Sequence, residues 1–302
     1  MPINIPKGLP AGSILEKENI FIMESERASH QDIRPLKLLI LNLMPEKERT
    51  ETQLLRLLSN SPLQVYADFI HTESYQSKNV ARSHLDQFYQ TFSDIKDQRY
   101  DGMIITGAPV EQFDFEQVDY WNEMVDIMDW SNTHVTSSLH ICWGAQAALY
   151  YHYGIGKSER EEKISGIFRH DIIVPTHKLV RGIDDQFRAP HSRYTNIDLE
   201  AIKAHQDLTI LDHSDQAGPL LIVSNNGKHV MITGHIEYDA DTLAQEYQRD
   251  LVKGLNINPP AHYFPDDNIA SQPNNKWRSS AYLIFSNWLN YHVYQETPYK
   301  WT

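Results

Sequence analysis

The chain has 302 residues, enough for one large or two modest domains around an ample core. Its 27 basic and 40 acidic side chains leave a formal charge of −13, which argues against a nucleic-acid or anionic-membrane surface. Apolar residues make up 41%, as in soluble globular proteins, and the single cysteine, Cys142, excludes an internal disulfide or a multi-cysteine zinc site.

Taken in chain order, residues 1–34 carry Pro2, Pro6 and Pro10 with little periodicity, which predicts an extended arm lying on the core. Nothing there resembles a secretory signal, and no apolar run approaches the roughly 18 residues of a membrane span, so a cytoplasmic location is expected. Leu36 to Leu43 is nearly continuous in apolar residues, the pattern of a strand covered on both faces. Leucines at helical spacing follow over Thr50–Leu58, then a strand-like stretch over Leu63–Ile70 and a helix over Ser83–Phe92. Tyr100 to Gly107 reads as a buried strand ending in a glycine turn, Val118–Trp130 as a helix, Val135–Ile141 as a strand and Gly144–Tyr153 as a helix. Strands alternating with helices over about 150 residues predict an α/β fold with a mostly parallel central sheet flanked by helices.

The second half reads as richer in strands, at Asp171–Val174, Thr209–Leu211, Pro219–Val223 and His229–Thr233. The last two are joined by Ser224-Asn225-Asn226-Gly227, a hairpin signal. Helices over Asp241–Lys253 and Trp277–Val293 close a chain that shows no repeat and no linker, so residues 1–302 are expected to form a single domain.

Chemistry concentrates at Leu139-His140-Ile141-Cys142-Trp143-Gly144-Ala145-Gln146. A sharp strand-to-helix turn would present the cysteine outward, and the helix N-terminus would favour a thiolate and stabilise an oxyanion. A buried structural cysteine is the alternative. Gly234-His235-Ile236-Glu237-Tyr238 supplies a base, since residues i and i+2 of an extended segment face the same way. A carboxylate at Glu237 could orient the imidazole of His235 and stabilise its charged form. Metal binding by this pair lacks both an HExxH pattern and a second nearby histidine, so no metal site is expected.

Thr106-Gly107-Ala108-Pro109 ends a strand beside the elbow, and its glycine would let backbone N–H groups approach a substrate oxygen. A plain turn glycine is the alternative. Gly154-Ile155-Gly156-Lys157-Ser158 imitates a phosphate loop but has Tyr151 and Glu159 where glycines would stand, and reads as a turn. Trp277, Tyr282, Phe285 and Trp288 have the spacing of a core or interface helix.

The elbow, the glycine turn and the Gly-His-Ile-Glu-Tyr segment resemble those of class I glutamine amidotransferases, which have a flavodoxin-like architecture. Over its whole length the chain more closely resembles the homoserine transsuccinylase-type acyltransferases of methionine biosynthesis. Met1-Pro2-Ile3-Asn4-Ile5-Pro6, Leu41-Asn42-Leu43-Met44-Pro45, Thr106–Pro109, His140–Gly144 and Gly234–Tyr238 carry that resemblance.

It implies that Cys142 takes the acyl group from an acyl-CoA thioester and passes it to the hydroxyl of L-homoserine. His235 would then act as base, Glu237 as its orienting partner, and the backbone N–H groups near Ala108 and Trp143 as oxyanion donors. By the same resemblance Lys163, Ser192 and Arg249 line the substrate site, with Arg249 gripping the homoserine carboxylate. Position 111 decides the donor in that family; succinyl users carry glycine, and here it is Glu111. The carboxylate would fill the acyl pocket and repel the far carboxylate of succinyl-CoA, so acetyl-CoA is the expected co-substrate. No permanently bound cofactor is expected, and a homodimer is implied. The alternatives are a succinyltransferase, which Glu111 opposes, and a glutamine amidohydrolase, for which the chain offers no synthase domain. A catalytically dead scaffold should have lost Cys142, His235 or Glu237, and all three are present.

Overall fold

A computed structural model describes residues 3–18, 22–24, 34–74 and 81–298. The first strands and helices are β1 (Ile3–Ile5), α1 (Pro10–Lys17), β2 (Ile22–Glu24), β3 (Leu36–Leu41), α2 (Lys47–Leu58) and β4 (Val65–Ile70). They continue as α3 (Arg82–Phe88), β5 (Tyr89–Gln90), α4 (Phe92–Ile95), β6 (Tyr100–Ile105), α5 (Trp121–His134), β7 (Val135–Ile141) and α6 (Trp143–Tyr153). After β8 (Lys157–Ile172) and β9 (Gln186–Ile197) come α7 (Leu199–Ala204), β10 (Leu208–Ile210) and β11 (Asp212–His213). β12 (Leu221–Ser224), β13 (His229–Ile232), α8 (Thr242–Val252) and α9 (Arg278–Asn287) complete the order.

The main sheet runs β10-β12-β13-β7-β6-β3-β4-β1-β2, with β5 also paired to β4. Every pairing from β13 to β2 is parallel, and only β10–β12 and β12–β13 are antiparallel. The predicted α/β class and mostly parallel sheet therefore stand. Side chains alternate between faces, and both faces are covered. Leu38, Ile40 and Ile104 pack with Leu54 and Leu55 of α2 and with Ile284 and Phe285 of α9. Leu39, Leu41, Met103 and Ile105 pack on the other face with Met124, Ile127 and Met128 of α5. Each fully buried aliphatic side chain contributes about 1.5–3 kcal/mol, so the sheet centre is the stiffest support available for a site.

Several expectations need correction. The predicted arm over 1–34 is not simply extended where it is described: α1 forms behind Pro10, and β1 joins β4 in the main sheet. The helix expected to Phe92 stops at Phe88, because Tyr89 and Gln90 pair with β4 and a Thr91–Asp94 capping box starts α4. The expected closing helix over Trp277–Val293 is α9 followed by a wider π-type turn over Trp288–Tyr294. Of its aromatic residues, Trp277, Phe285 and Trp288 are buried in the core and Tyr282 is half-buried against it. Of the strand expected at Asp171–Val174 only Asp171 and Ile172 are strand, and they are the end of the sixteen-residue β8. β8 pairs antiparallel with β9 and with β11 in a second, three-stranded sheet that was not foreseen. The imitation phosphate loop is a turn only over its first three residues: Gly154 closes α6 in a left-handed conformation, and Lys157 and Ser158 already begin β8. Lys157 bonds the carbonyl oxygens of Glu111 and Phe113 at 2.5 and 2.7 Å.

Candidate active site

β7 passes into α6 through one residue, Cys142, at φ 51° and ψ −113°. A positive φ at a residue other than glycine costs of order 1–3 kcal/mol and persists only where the surroundings over-determine it. Here the Cys142 N–H donates to the Ile232 carbonyl at 2.7 Å, and the Cys142 carbonyl accepts from the Gln146 N–H at 3.1 Å. Gly144 allows the helix to approach β6, because a Cβ there would lie 2.8 Å from the carbonyl oxygens of Ile105 and Thr106. The cysteine thus stands on a strained turn at a helix N-terminus. Trp143 is the first helical residue, so its N–H has no partner within the helix.

His235 lies across Gly107 from Cys142. A Cβ on Gly107 would sit 3.3 Å from both Cys142 Cβ and His235 Cε1. His235 Nδ1 is 2.7 Å from Glu237 Oε1, and both side chains are buried. That bond places the Nδ1 proton toward the carboxylate and leaves Nε2 for the sulfur. The Tyr238 ring stacks on the imidazole with centroids 4.1 Å apart and planes 19° apart. Burial alone would push the imidazole toward its neutral form, but the charge and hydrogen bond of Cys142, together with Glu237, outweigh it. The His235 pKa therefore lies well above its ordinary value.

Cys142 and His235 open into a cleft of about 260 Å³ that Ala108, Glu111, Lys163, Ser192 and Arg249 also line. Residues named from distant parts of the sequence are therefore gathered at one place. Glu111 is half-buried; burial pushes its carboxyl up, opposed by hydrogen bonds from Tyr194 N–H and Thr195 and by the Arg193 and Lys163 cations. Lys163 Nζ is 2.8 Å from Asp250 Oδ2. Arg249 bonds Asp250 Oδ1 through Nε at 3.0 Å while its side chain stays 45% exposed. Burial would raise the Asp250 carboxyl, but the Lys163 and Arg249 bonds prevail and hold it below the ordinary range.

Four functional candidates escaped the sequence. Ser192 Oγ donates to Glu246 Oε2 at 2.6 Å, and Tyr238 OH donates to Glu246 Oε1 at 2.7 Å, so Glu246 ties Ser192 on β9 to the ring under His235. Glu246, Arg249 and Asp250 stand at i, i+3 and i+4 on α8, a spacing that would have exposed their common face. Thr195 and Gln146 gave no such signal.

The model of the homoserine O-succinyltransferase family matches residues 2–299. The homoserine O-acetyltransferases of Lysinibacillus sphaericus (strain C3-41) and Geobacillus kaustophilus (strain HTA426) are each 60% identical to the chain over 301 residues. These alignments cover 100% of the chain and 97% and 100% of the two relatives. A glutamine amidotransferase of Thermotoga maritima shares the fold at TM-score 0.57 and 14% identity, over 85% of this chain and 98% of that one. With motif, geometry and full-length similarity in agreement, the chain belongs to the homoserine O-succinyltransferase family.

Proposed function

We propose that the protein is a homoserine O-acetyltransferase that works through an acyl-enzyme on Cys142. The ionised sulfur attacks the acetyl-CoA carbonyl while the N–H groups of Ala108 and Trp143 receive the oxyanion. The CoA thiolate leaves and takes the proton held by His235 Nε2. The sulfur has lost its charge by then, and with it much of what favoured the imidazolium. Neutral His235 next accepts the proton of the homoserine hydroxyl, whose oxygen attacks the thioester and expels the Cys142 thiolate. Thiolate and imidazolium are regenerated, so protons balance over the cycle. Glu237 holds the imidazole in the orientation both steps need. Lys163, Ser192 and Arg249 hold homoserine, with the exposed face of the Arg249 guanidinium offered to its carboxylate.

One observation carries the choice of donor: the Glu111 side chain stands in the same cleft as Cys142. A second carboxylate about 4 Å away would cost roughly 1 to 4 kcal/mol between water-like and surface-like dielectrics, and about 1.4 kcal/mol is tenfold in selectivity. The acetyltransferase names of the relatives at 60% identity support the same choice. Succinyl transfer is the second reading, favoured by the description of the family model. Incubation with homoserine and either acyl-CoA, following free CoA thiol, separates them. Acetyl-CoA should be preferred, and Glu111→Gly should shift preference toward succinyl-CoA; a wild-type preference for succinyl-CoA overturns the proposal. A cytoplasmic homodimer without a resident cofactor completes the proposal, to be checked by cell fractionation, sedimentation and mass measurement of the native protein.

A further inference from the structure

Glu111 is not free to turn in the acyl pocket. Its Oε2 accepts from Thr195 Oγ1 at 3.0 Å, and Thr195 is fully buried on β9. The same hydroxyl lies 2.8 Å from Gln146 Nε2 and 3.1 Å from Gln146 Oε1. One hydroxyl has one proton, so it cannot donate to Glu111 and to Gln146 Oε1 together. The amide nitrogen cannot accept, so the 2.8 Å contact runs from Gln146 to Thr195, and the hydroxyl proton goes to the nearer and stronger acceptor, the Glu111 carboxylate. Gln146 is buried on α6, and its own N–H bonds the carbonyl of Cys142. A directed chain therefore links the nucleophile's helix to the carboxylate.

The backbone of Thr195 is anchored as firmly. Arg193 Nε donates to the Thr195 carbonyl at 2.9 Å and Nη1 donates to His191 Nδ1 at 2.5 Å. Guanidinium only donates, so the proton of neutral His191 is on Nε2, 3.0 Å from His170 Nε2. The proton of His170 is then on Nδ1, 2.5 Å from Asp212 Oδ2. Two imidazoles thus join a buried cation to a buried anion with every proton placed.

We infer that Thr195, oriented by Gln146 and anchored through Arg193, is a positioning residue that holds Glu111 across the acyl pocket and so sets discrimination against acyl groups bearing a terminal carboxylate. The inference rests on Glu111 being the donor-selecting residue. Thr195→Val keeps the shape and removes the hydroxyl; Thr195→Ser keeps the hydroxyl. The readout is the ratio of kcat/KM for acetyl-CoA to that for succinyl-CoA, both measured on one preparation, so a loss of folded enzyme leaves it untouched. The Val variant should lower the ratio about tenfold, the scale of one hydrogen bond to a charged group, and Ser should restore it. Gln146→Met should lower it less, and supplies the test if the Val variant does not fold. A ratio shifted by Glu111→Gly but unmoved by Thr195→Val and Gln146→Met overturns the role of Thr195 alone. A ratio unmoved by Glu111→Gly overturns the donor reading beneath it.

Discussion

The two sheets contribute to the cleft in different ways. The parallel sheet ends in the groups proposed to react: Cys142 follows β7, Gly107 and Ala108 follow β6, and His235 and Glu237 follow β13. The three-stranded sheet supplies Lys163 from β8 with Ser192 and Thr195 from β9, and the adjoining α8 supplies Glu246 and Arg249. Reactive groups need fixed geometry and sit at the C-terminal ends of strands buried on both faces. Groups that grip a small substrate can sit on an antiparallel hairpin laid over that edge. A division of labour follows: the parallel half should govern acyl-enzyme formation and carry the donor-selecting Glu111, while the hairpin half should hold Glu111 in place through Thr195 and govern what receives the acyl group.

His235→Asn should damage both half-reactions, lowering turnover by about 10²- to 10⁴-fold, the usual range for general acid–base catalysis. Pre-steady-state release of CoA would slow with it. A variant near the wild-type rate would remove His235 from the mechanism. On the other side of the comparison, Arg249→Met should raise the homoserine KM by about 10- to 100-fold, as loss of a charge-assisted carboxylate contact does. Its burst of CoA from acetyl-CoA alone should persist. If the burst vanished with Arg249, the two halves would not be separable.

Acid sharpens the comparison in a smaller way. The parallel half buries His140 and His229, and the half-buried His152 stacks on His229 with centroids 4.1 Å apart. Burial, then the neighbouring imidazole charges and Lys228, pushes His140 down to about 3 and His229 to about 2; burial and Lys228 push His152 to about 4. Each stays neutral in the folded chain while the unfolded chain binds protons below about 6.5. The unfolded state therefore holds more protons across that window, and stability falls as pH falls. Unfolding free energies from urea titrations at pH 7.5, 6.5 and 5.5 should decline by about 1 kcal/mol per pH unit and histidine once below 6.5. A flat profile would show these imidazoles are not held neutral.

The same contrast explains what could be read in the sequence. β3 and β6 are nearly unbroken apolar runs, so their burial on both faces was legible, and the elbow at Cys142 announced itself by a lone thiol before Gly144. β8 was not legible because it starts Lys-Ser-Glu-Arg-Glu-Glu-Lys. Charge masks any alternation, and its pairing with β9 shifts register between Glu159 and Ile164. Only tertiary pairing makes that segment a strand. Lys163 and Ser192 could therefore be named through family resemblance but not from local pattern. Thr195 and Gln146 are ordinary polar residues until the fold sets them beside Glu111. By contrast, the Thr91-x-x-Asp94 capping box was present in the sequence and would have ended the preceding helix in the right place.

Cys142 is the point where the proposed chemistry of the parallel half converges, so intact-protein mass after mixing with acetyl-CoA and no homoserine tests the account most directly. The protein should gain one acetyl group and release about one CoA per active site. The adduct should disappear when homoserine is added, and Cys142→Ala should show neither adduct nor burst. A wild-type protein that turns over without an adduct or burst, or an adduct that survives in Cys142→Ala, would contradict the acyl-enzyme.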